Sequence, residues 1–203
     1  MNVLPRPGGW RSRRFVFRAF PLTGEMDRLA SEHGWTIADE RVLDPEAGRI
    51  RRKWTAAARV SVSCLEDPPI ESAYALAFGG AGEEAVAAVA DVLAADPWFL
   101  TFDELLADVD AASGVRSRRV AVVRAGLGCP LEPDDRFVSR IEAAARDPHT
   151  EIREAAVWAM THSEWPVFTG LLERIAHDSR DEYVQWLAVR ALKALAGLGL
   201  EES

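Results

Sequence analysis

The sequence predicts an α+β protein in which a small N-terminal antiparallel sheet with one helix precedes a C-terminal α-solenoid of paired helices. Three observations predict this class. β-rich runs separated by turn residues fill the first 80 positions, Pro and Gly fall between helical patterns from Gly82 onward, and two stretches near the C-terminus repeat each other. We therefore divide the chain into residues 1–80, a small sheet region, and residues 81–203, a helical repeat domain.

The sheet region begins with a predicted strand at residues 15–20 and a predicted helix at residues 24–33. The β-rich runs that follow predict four further strands, at residues 35–42, 50–54, 60–65 and 73–78. The segment 44–48 contains the Asp, Pro and Gly expected of a hairpin connection. Trp35 and Trp54 lie in these runs and are expected to pack in the sheet core rather than to bind a ligand.

The helical region starts at a glycine turn and continues to the C-terminus. Two sets of residues, Thr101 with Glu104 and Ser179 with Glu182, have the spacing of capping boxes that begin helices. Together with the periodic apolar positions they predict seven helices, at residues 83–95, from 101, and at 115–127, 134–146, 151–161, 164–177 and 182–196.

The repeat is the strongest signal in this region. Four residues recur 31 positions later, and five more recur 32 positions later. The first set is Phe137, Ile141, Ala145 and Asp147, matched by Phe168, Leu172, Ala176 and Asp178; the second is Ile152, Ala156, Val157, Ala159 and Met160, matched by Val184, Ala188, Val189, Ala191 and Leu192. A period near 30 residues built of two short helices indicates a stacked helical array.

These residues resemble HEAT-like repeats of the short bacterial kind, first noted in phycobilisome lyases. In that family a D-P turn precedes an inner helix of the form V-R-x-x-A-x-x-A-L, which resembles Asp147-Pro148 followed by Ile152-Arg153. Gln185 replaces the Arg in the second copy, and residues 117–127 are similar to the inner helix of a degenerate earlier repeat. The resemblance implies a concave surface that binds a partner. It covers residues 100–197 and leaves the sheet unexplained.

The inner-helix positions that packing does not need carry large polar and aromatic side chains. We call seven of them the candidate stripe: Arg124, Glu154, Trp158, His162, Trp165, Trp186 and Arg190. Residues four apart lie on one side of a helix, and Trp with Arg is typical of binding hot spots. Trp165 is expected to extend this surface. Trp158 is equally consistent with a core position, Trp186 is expected at the surface, and His162 is read as a plain helix-end histidine.

Charge is segregated along the chain. Residues 1–59 have a net charge of +5, residues 60–114 have −11 without any Lys or Arg, and residues 115–203 have −2. The acidic segment would repel phosphate backbones and favours a basic protein as partner, unless it simply keeps the protein soluble. Arg49, Arg51, Arg52 and Lys53 form a basic run, either a solvated edge strand or a phosphate contact.

The sequence favours a non-enzymatic protein-binding scaffold over an enzyme, with no cofactor and no metal. The G-x-G-x-x-A match at residues 80–85 places Glu83 and Glu84 where pyrophosphate would bind, so we interpret it as a glycine turn and helix start. Two alternatives stay open: a HEAT-like nucleic-acid-binding protein or DNA glycosylase with Glu154 or Asp181 as its acid, and a phycobilin lyase. The first needs a positive groove, whereas residues 60–203 sum to −13.

No apolar run is long enough to cross a bilayer, and the Arg-rich N-terminus lacks the apolar core of a secretory signal. Cys64 and Cys129 are far apart and form no C-x-x-C pair. We therefore expect a cytoplasmic protein with buried thiols.

Overall fold

The computed structural model describes the backbone of residues 3–200 and the side chains of residues 3–197. The chain forms two compact units, residues 1–101 and residues 102–203. The first contains a seven-stranded antiparallel sheet with two helices, and the second is helical. The mixed helix-and-sheet composition predicted from the sequence is confirmed.

The strands of the first unit are β1 (Val3–Arg6), β2 (Gly9–Ser12), β3 (Phe15–Val16), β4 (Thr36–Asp44), β5 (Arg49–Ala57), β6 (Val60–Asp67) and β7 (Ser72–Gly79). Its helices are α1 (Glu25–Glu32) and α2 (Glu83–Ala95). The strand order is β1-β2-β7-β6-β5-β4, and β3 pairs with β7 beside β2. The four strands predicted after α1 are confirmed. β5, β6 and β7 are two to four residues longer than their β-rich runs, and β4 is one residue longer and begins one residue later.

The sheet has one covered face and one open face because successive side chains along a strand point to opposite sides. Both helices pack on the same face, where α1 contributes Met26 and Leu29 to the core and α2 contributes Val86 and Leu93. Trp54 is buried in this core, as expected. Helix α2 belongs to the first unit because it packs on β1, β2, β6 and β7, so the structural division lies 21 residues beyond the sequence boundary at residue 80.

The predicted strand at residues 15–20 is wrong beyond Val16. After β3 the amide of Phe17 still donates to the carbonyl oxygen of Ala73 at 3.0 Å, but the amide of Arg18 donates to that of Trp98 at 2.9 Å. The chain therefore leaves β7 for the segment that follows α2. The hairpin formed by β1 and β2 was not predicted at all, because its prolines and glycines read as a loop.

Two glycines allow β2 and β6 to approach β7 at one end of the sheet. A Cβ on Gly9 would lie 2.2 Å from the carbonyl oxygen of Gly79, and a Cβ on Gly79 would lie 2.0 Å from that of Arg59. No side chain fits at either position, so the sheet closes around Gly79 only with glycine there.

The helices of the second unit are α3 (Phe102–Ala111), α4 (Val115–Gly128), α5 (Asp135–Ala144), α6 (Thr150–Ser163), α7 (Thr169–Asp178) and α8 (Glu182–Leu200). Helix α6 packs on both α4 and α8, and α7 packs on α8. Gly126 lets α4 and α6 touch through their backbones, since a Cβ there would lie 2.3 Å from the Cα of Ala159. Gly126, within the degenerate earlier repeat at residues 117–127, is therefore required by helix packing.

One predicted helix start and one predicted capping residue are wrong. Residues 164–177 do not form one helix: Glu164 has a φ of 60°, and a 3-10 turn at Pro166–Phe168 precedes α7. At α8 the cap is Asp181 rather than Ser179, because the Asp181 carboxylate accepts hydrogen bonds from the amides of Tyr183 (3.0 Å) and Val184 (3.2 Å). An aspartate one residue before the helix satisfies the exposed amides directly.

Candidate functional site

Six of the seven residues of the candidate stripe lie on α4, α6 and α8, and four of these six form two pairs. On α6 the rings of Trp158 and His162 stack with their centroids 6.0 Å apart and an interplanar angle of 22°. The sequence left open whether Trp158 lies in the core or at the surface. Its side chain is 37% exposed and therefore lies at the surface. His162 is half-buried and covers one side of that indole.

The second pair, Trp186 and Arg190, lies on α8. Tyr183, which the sequence did not single out, also contacts Trp186. Arg190 places its guanidinium 4.7 Å from the ring centroid of Trp186, and Tyr183 stacks on the same indole at 5.6 Å. Trp186 is 48% exposed, as expected. Tyr183 could have been found from its spacing, because it precedes Trp186 by three residues and so shares its side of the helix.

The two pairs are one helical turn out of step between the two copies of the repeat. With the 32-residue offset, Trp158 corresponds to Arg190 and Glu154 corresponds to Trp186. Neighbouring helices α6 and α8 thus present an acid and an aromatic side chain at one level, and an aromatic and a basic side chain at the next. The surface is chemically mixed and is not a plain apolar patch.

Carboxylates lie beside the aromatic rings. Partial burial, followed by the nearby charges of Asp181 and Glu151, raises the pKa of Glu154. The amide hydrogen bonds from Val184 and Tyr183 instead hold the pKa of Asp181 below its usual range. Asp181 is therefore committed to capping α8, and Glu154 is the acid that would gain most from a positive charge nearby.

Trp165 does not extend the surface, so this prediction is wrong. Its side chain is only 1% exposed and lies between Phe137 and Phe168, with centroid distances of 6.5 Å and 6.0 Å. The indole Nε1 donates a hydrogen bond to the carbonyl oxygen of Leu131 at 3.0 Å. Because Glu164 ends α6 in a left-handed conformation, the chain turns inward and carries Trp165 into the core. Arg124, the member from α4, is half-buried.

The D-P turn before α6 is held by Arg153, whose Nη1 donates to the carbonyl oxygens of Asp147 and Pro148 at 2.9 Å each. At the equivalent turn before α8, Gln185 Nε2 donates to the carbonyl oxygen of Ser179 at 2.8 Å. Arg153 and Gln185 are equivalent by the same offset and so do the same work. These side chains are structural and are not available to a partner.

Asp147 is the buried polar centre of the first turn. Its carboxylate accepts a hydrogen bond from the amide of His149 at 2.9 Å, lies 3.0 Å from His149 Nδ1, and contacts the guanidinium of Arg118 on α4. Burial alone would raise the pKa of Asp147, but the His149 and Arg118 contacts outweigh it and lower the pKa. The turn is thereby tied to the preceding helix.

The next features are the possible metal ligands and the two cysteines. Within residues 3–197 no group of three or more His, Cys, Asp or Glu side chains is arranged to hold a metal ion. Both cysteines are buried, and burial raises the pKa of the Cys64 thiol far above its usual value. No helix among the described residues combines the length and apolarity that a bilayer crossing requires.

Comparisons of the chain with models of protein families, with curated proteins and with solved structures find no match. The function must therefore be inferred from the residues themselves. Among them, the exposed and ordered rings of Trp158 and Trp186 carry the most information.

Proposed function

We propose that the helical unit is a non-enzymatic protein-binding module of the HEAT-like type, which takes a basic segment of another protein on its candidate stripe. The observation that carries the proposal is Trp186, an indole that is 48% exposed and yet held between Tyr183 and Arg190. With the stacked and equally exposed Tyr183 it forms an aromatic patch, and grouped apolar surface of this kind marks interaction sites.

The restricted mobility of the Trp186 ring matters as much as its exposure. Binding normally loses side-chain freedom, and each flexible side chain fixed at an interface weakens association by about 0.5–1.5 kcal/mol. Stacking against Tyr183 and Arg190 has already restricted Trp186 before any partner arrives. Trp and Tyr are also the aromatic residues most enriched in binding hot spots.

The charge beside the rings favours a basic partner. Partial burial, followed by repulsion from the negative charges of Asp181 and Glu151, raises the pKa of Glu154 against the opposing effect of Arg119 and Arg153. A Lys or Arg from a partner would relieve this repulsion and could at the same time stack on the Trp158 face. An acidic partner would meet repulsion at the same place.

The packing of the helices supports a HEAT-like array. Helix α6 contacts α4 on one side and α8 on the other, which is the order that stacked inner helices require. The repeated positions Ile152 and Ala156 of α6 and their counterparts Val184 and Ala188 of α8 are all buried. Glu154 and Trp158 of α6, and Trp186 and Arg190 of α8, lie between these buried positions and so remain for binding.

A photo-cross-linking experiment tests the proposal with the full chain. We would place p-benzoylphenylalanine at position 186 and, as a matched control, at position 98. Trp98 is 39% exposed and has the Arg28 guanidinium 5.7 Å from its ring, so it reproduces the exposure and the Trp–Arg pairing in the other unit. We expect a discrete cross-linked protein from position 186 only, and equal products from both positions would contradict the proposal.

A second measurement separates protein binding from the nucleic-acid alternative. Once cross-linking has identified the partner, its binding to chains without the cross-linker is measured by pull-down. Combined Trp186→Ala and Arg190→Ala substitutions should abolish this binding, whereas Trp98→Ala should leave it unchanged. Binding of duplex DNA that weakens steeply with salt and disappears in the same double variant would instead favour a glycosylase-type groove. Unchanged partner capture by the double variant would show that the stripe is not the binding surface.

A further inference from the structure

The open face of the sheet contains a groove of about 750 Å³, within the size range of ligand sites. Its floor is formed by the central strands through Ser63 of β6 and Leu76 and Phe78 of β7. No helix of the first unit packs over this face, because α1 and α2 both contribute to the core on the other side. The groove is independent of the candidate stripe, which belongs to the second unit.

Basic side chains from four strands line this groove. They are Arg6 of β1, Arg11 of β2, Arg41 of β4, and Arg51 and Lys53 of β5. Among the described residues that line it, Asp39 is the single carboxylate, and it lies 2.8 Å from Arg41 Nε and 3.7 Å from Arg51 Nη2. The described lining of the groove thus carries five cationic side chains and one anionic side chain, whereas the whole chain has a net charge of −8.

The strand register explains how residues so far apart in sequence meet. Arg51 pairs with Arg41 across β5 and β4, Lys53 pairs with Ser63 across β5 and β6, and Arg11 pairs with Phe78 across β2 and β7. Since strands are about 4.8 Å apart, the cations of β2 and β5 flank the neutral floor at a separation of about 14 Å. Two positive walls thus border an apolar and hydroxyl-bearing centre.

The charge of this face is not a by-product of an Arg-rich strand. Arg52, between Arg51 and Lys53, points to the other face and pairs with Glu40 at 2.7 Å and Asp27 at 3.4 Å. That arginine is neutralised within the fold by two carboxylates. The basic run noted in the sequence is therefore split by the alternation of the strand, and its outward half adds to the groove.

We propose that this basic groove binds single-stranded nucleic acid. The flanking cations would neutralise successive phosphates, and a base would stack on Phe78, whose ring face is now occupied by the Lys53 ammonium 5.2 Å from the centroid. When a base takes the place of the ammonium on the Phe78 ring, the flexible Lys53 side chain can contact a phosphate instead. A paired duplex keeps its bases inside the stack and cannot offer one to the ring.

The net charge of the sequence disfavours nucleic acid as a partner, whereas the local charge of the basic groove favours it. Net charge governs long-range behaviour, but charges farther away than a Debye length, about 8 Å at physiological salt, are largely screened, so a phosphate in the groove interacts mainly with the cations that line it. The acidic stretch at residues 60–114 contributes Ser63, Leu76, Phe78 and Gly79 to the lining, and none of these is charged. Local geometry therefore outweighs the overall balance.

The test uses the full chain and a fluorescently labelled 12-nucleotide oligouridine, with anisotropy measured over a range of salt concentrations. The Arg51→Ala and Lys53→Ala double variant should bind at least tenfold more weakly and lower the slope of log K against log salt by about 1.4. Arg52→Ala removes a charge of the same sign from the same strand but from the other face. It should change the affinity less than about twofold.

Phe78→Leu separates stacking from charge, because it keeps an apolar floor and all five cations. It should weaken binding by about fivefold or more with the salt slope unchanged. Circular dichroism and the melting temperature of each variant establish that it is folded, and the comparison is made among folded variants.

Four outcomes would overturn the proposal. One is that the wild-type chain shows no salt-dependent binding of the oligouridine. A second is that a duplex of the same length binds equally well, which would indicate unspecific attraction of polyanions. A third is that polyglutamate displaces the oligouridine as well as unlabelled RNA does, which would favour an acidic protein ligand. The last is an equal loss with Arg52→Ala, which would show that the groove is not the site.

Discussion

The sheet unit and the helical unit assign side chains to core or surface by different rules. In β5 neighbours alternate, so Lys53 lies in the basic groove while Trp54 is buried under the helices. In the helical unit Trp158 and Trp165 are seven residues apart, a spacing that would place both on one side of a continuous helix. Yet Trp158 is 37% exposed and Trp165 is 1% exposed, because α6 ends at Ser163. A strand period can be read locally, but a helical period is valid only as far as the helix extends.

The largest effect should come from a test of the alternation in β6. Val62 is fully buried, whereas its neighbour Ser63 lies in the basic groove opposite Lys53. Val62→Asp would bury an unpaired charge and should destabilise the fold by about 4 kcal/mol or more. Ser63→Asp should cost less than about 1 kcal/mol because it faces a cation. Urea unfolding measures both, and similar losses would contradict the assignment of faces.

Tryptophan substitutions make the corresponding test in the helical unit. Trp165→Ala removes a buried indole and its hydrogen bond to Leu131, with an expected loss of about 3–5 kcal/mol. Trp186→Ala should cost less than about 1 kcal/mol, since nearly half of that side chain is exposed. The free energies of unfolding of the two variants check this difference. If Trp186→Ala were as damaging as Trp165→Ala, its ring would be a packing residue.

The contact between α4 and α6 provides a test of intermediate size. Gly126→Ala would force the two helices apart and should lower stability by about 1–3 kcal/mol. Gly170→Ala is a matched control within α7, where the nearest atom to a new Cβ is 3.9 Å away on the flexible Arg174 side chain. It should be neutral or stabilising by up to about 1 kcal/mol, because alanine favours the helix. Differential scanning calorimetry distinguishes the two variants.

The smallest effect concerns the turn before α6 and depends on pH. The pKa of Asp147 is lowered in the folded state, so its ionised form stabilises the protein above the ordinary aspartate pKa of about 4, and this contribution is lost as the pH falls through the lower folded value. Asp147→Asn should therefore cost about 1 kcal/mol or more at pH 7. The difference from the wild type should shrink below about pH 4. A constant difference across the pH range would contradict the role of the charge.

Much of the sheet could be predicted because β4–β7 carry β-rich runs between clear turn residues. The hairpin of β1 and β2 could not, since Pro5 and the Gly8-Gly9 pair resemble a loop, although proline is tolerated on an edge strand. The basic groove was visible only in part. Its β5 residues stood out as a run, but Arg6, Arg11 and Arg41 join them only through strand pairing, which no local pattern specifies.

In the helical unit the repeat located the buried faces correctly, because packing imposes the same apolar residues in both copies. Three equivalent pairs differ in burial. Val157 and Met160 are buried on α6, between α4 and α8, whereas Val189 is exposed and Leu192 is half-buried on α8, the last helix that the structure describes. Asp147 is buried in the first turn, and its counterpart Asp178 is exposed. The environment of Trp165 was missed for a local reason, the left-handed conformation of Glu164 that ends α6. Tyr183 was not predicted because it is not one of the repeated apolar positions of α8 and lies on the exposed side of that helix.

The exchange of Arg153 for Gln185 has a consequence for identifying further copies of this unit. Both side chains are long enough to reach back and donate to the carbonyl oxygens of the preceding bend, and the one that does so in α8 is neutral. The position of Arg153 and Gln185 therefore requires a long side chain that ends in an N–H donor. A search pattern that insists on a guanidinium there would overlook divergent members, whereas one that accepts any long donor would recover them.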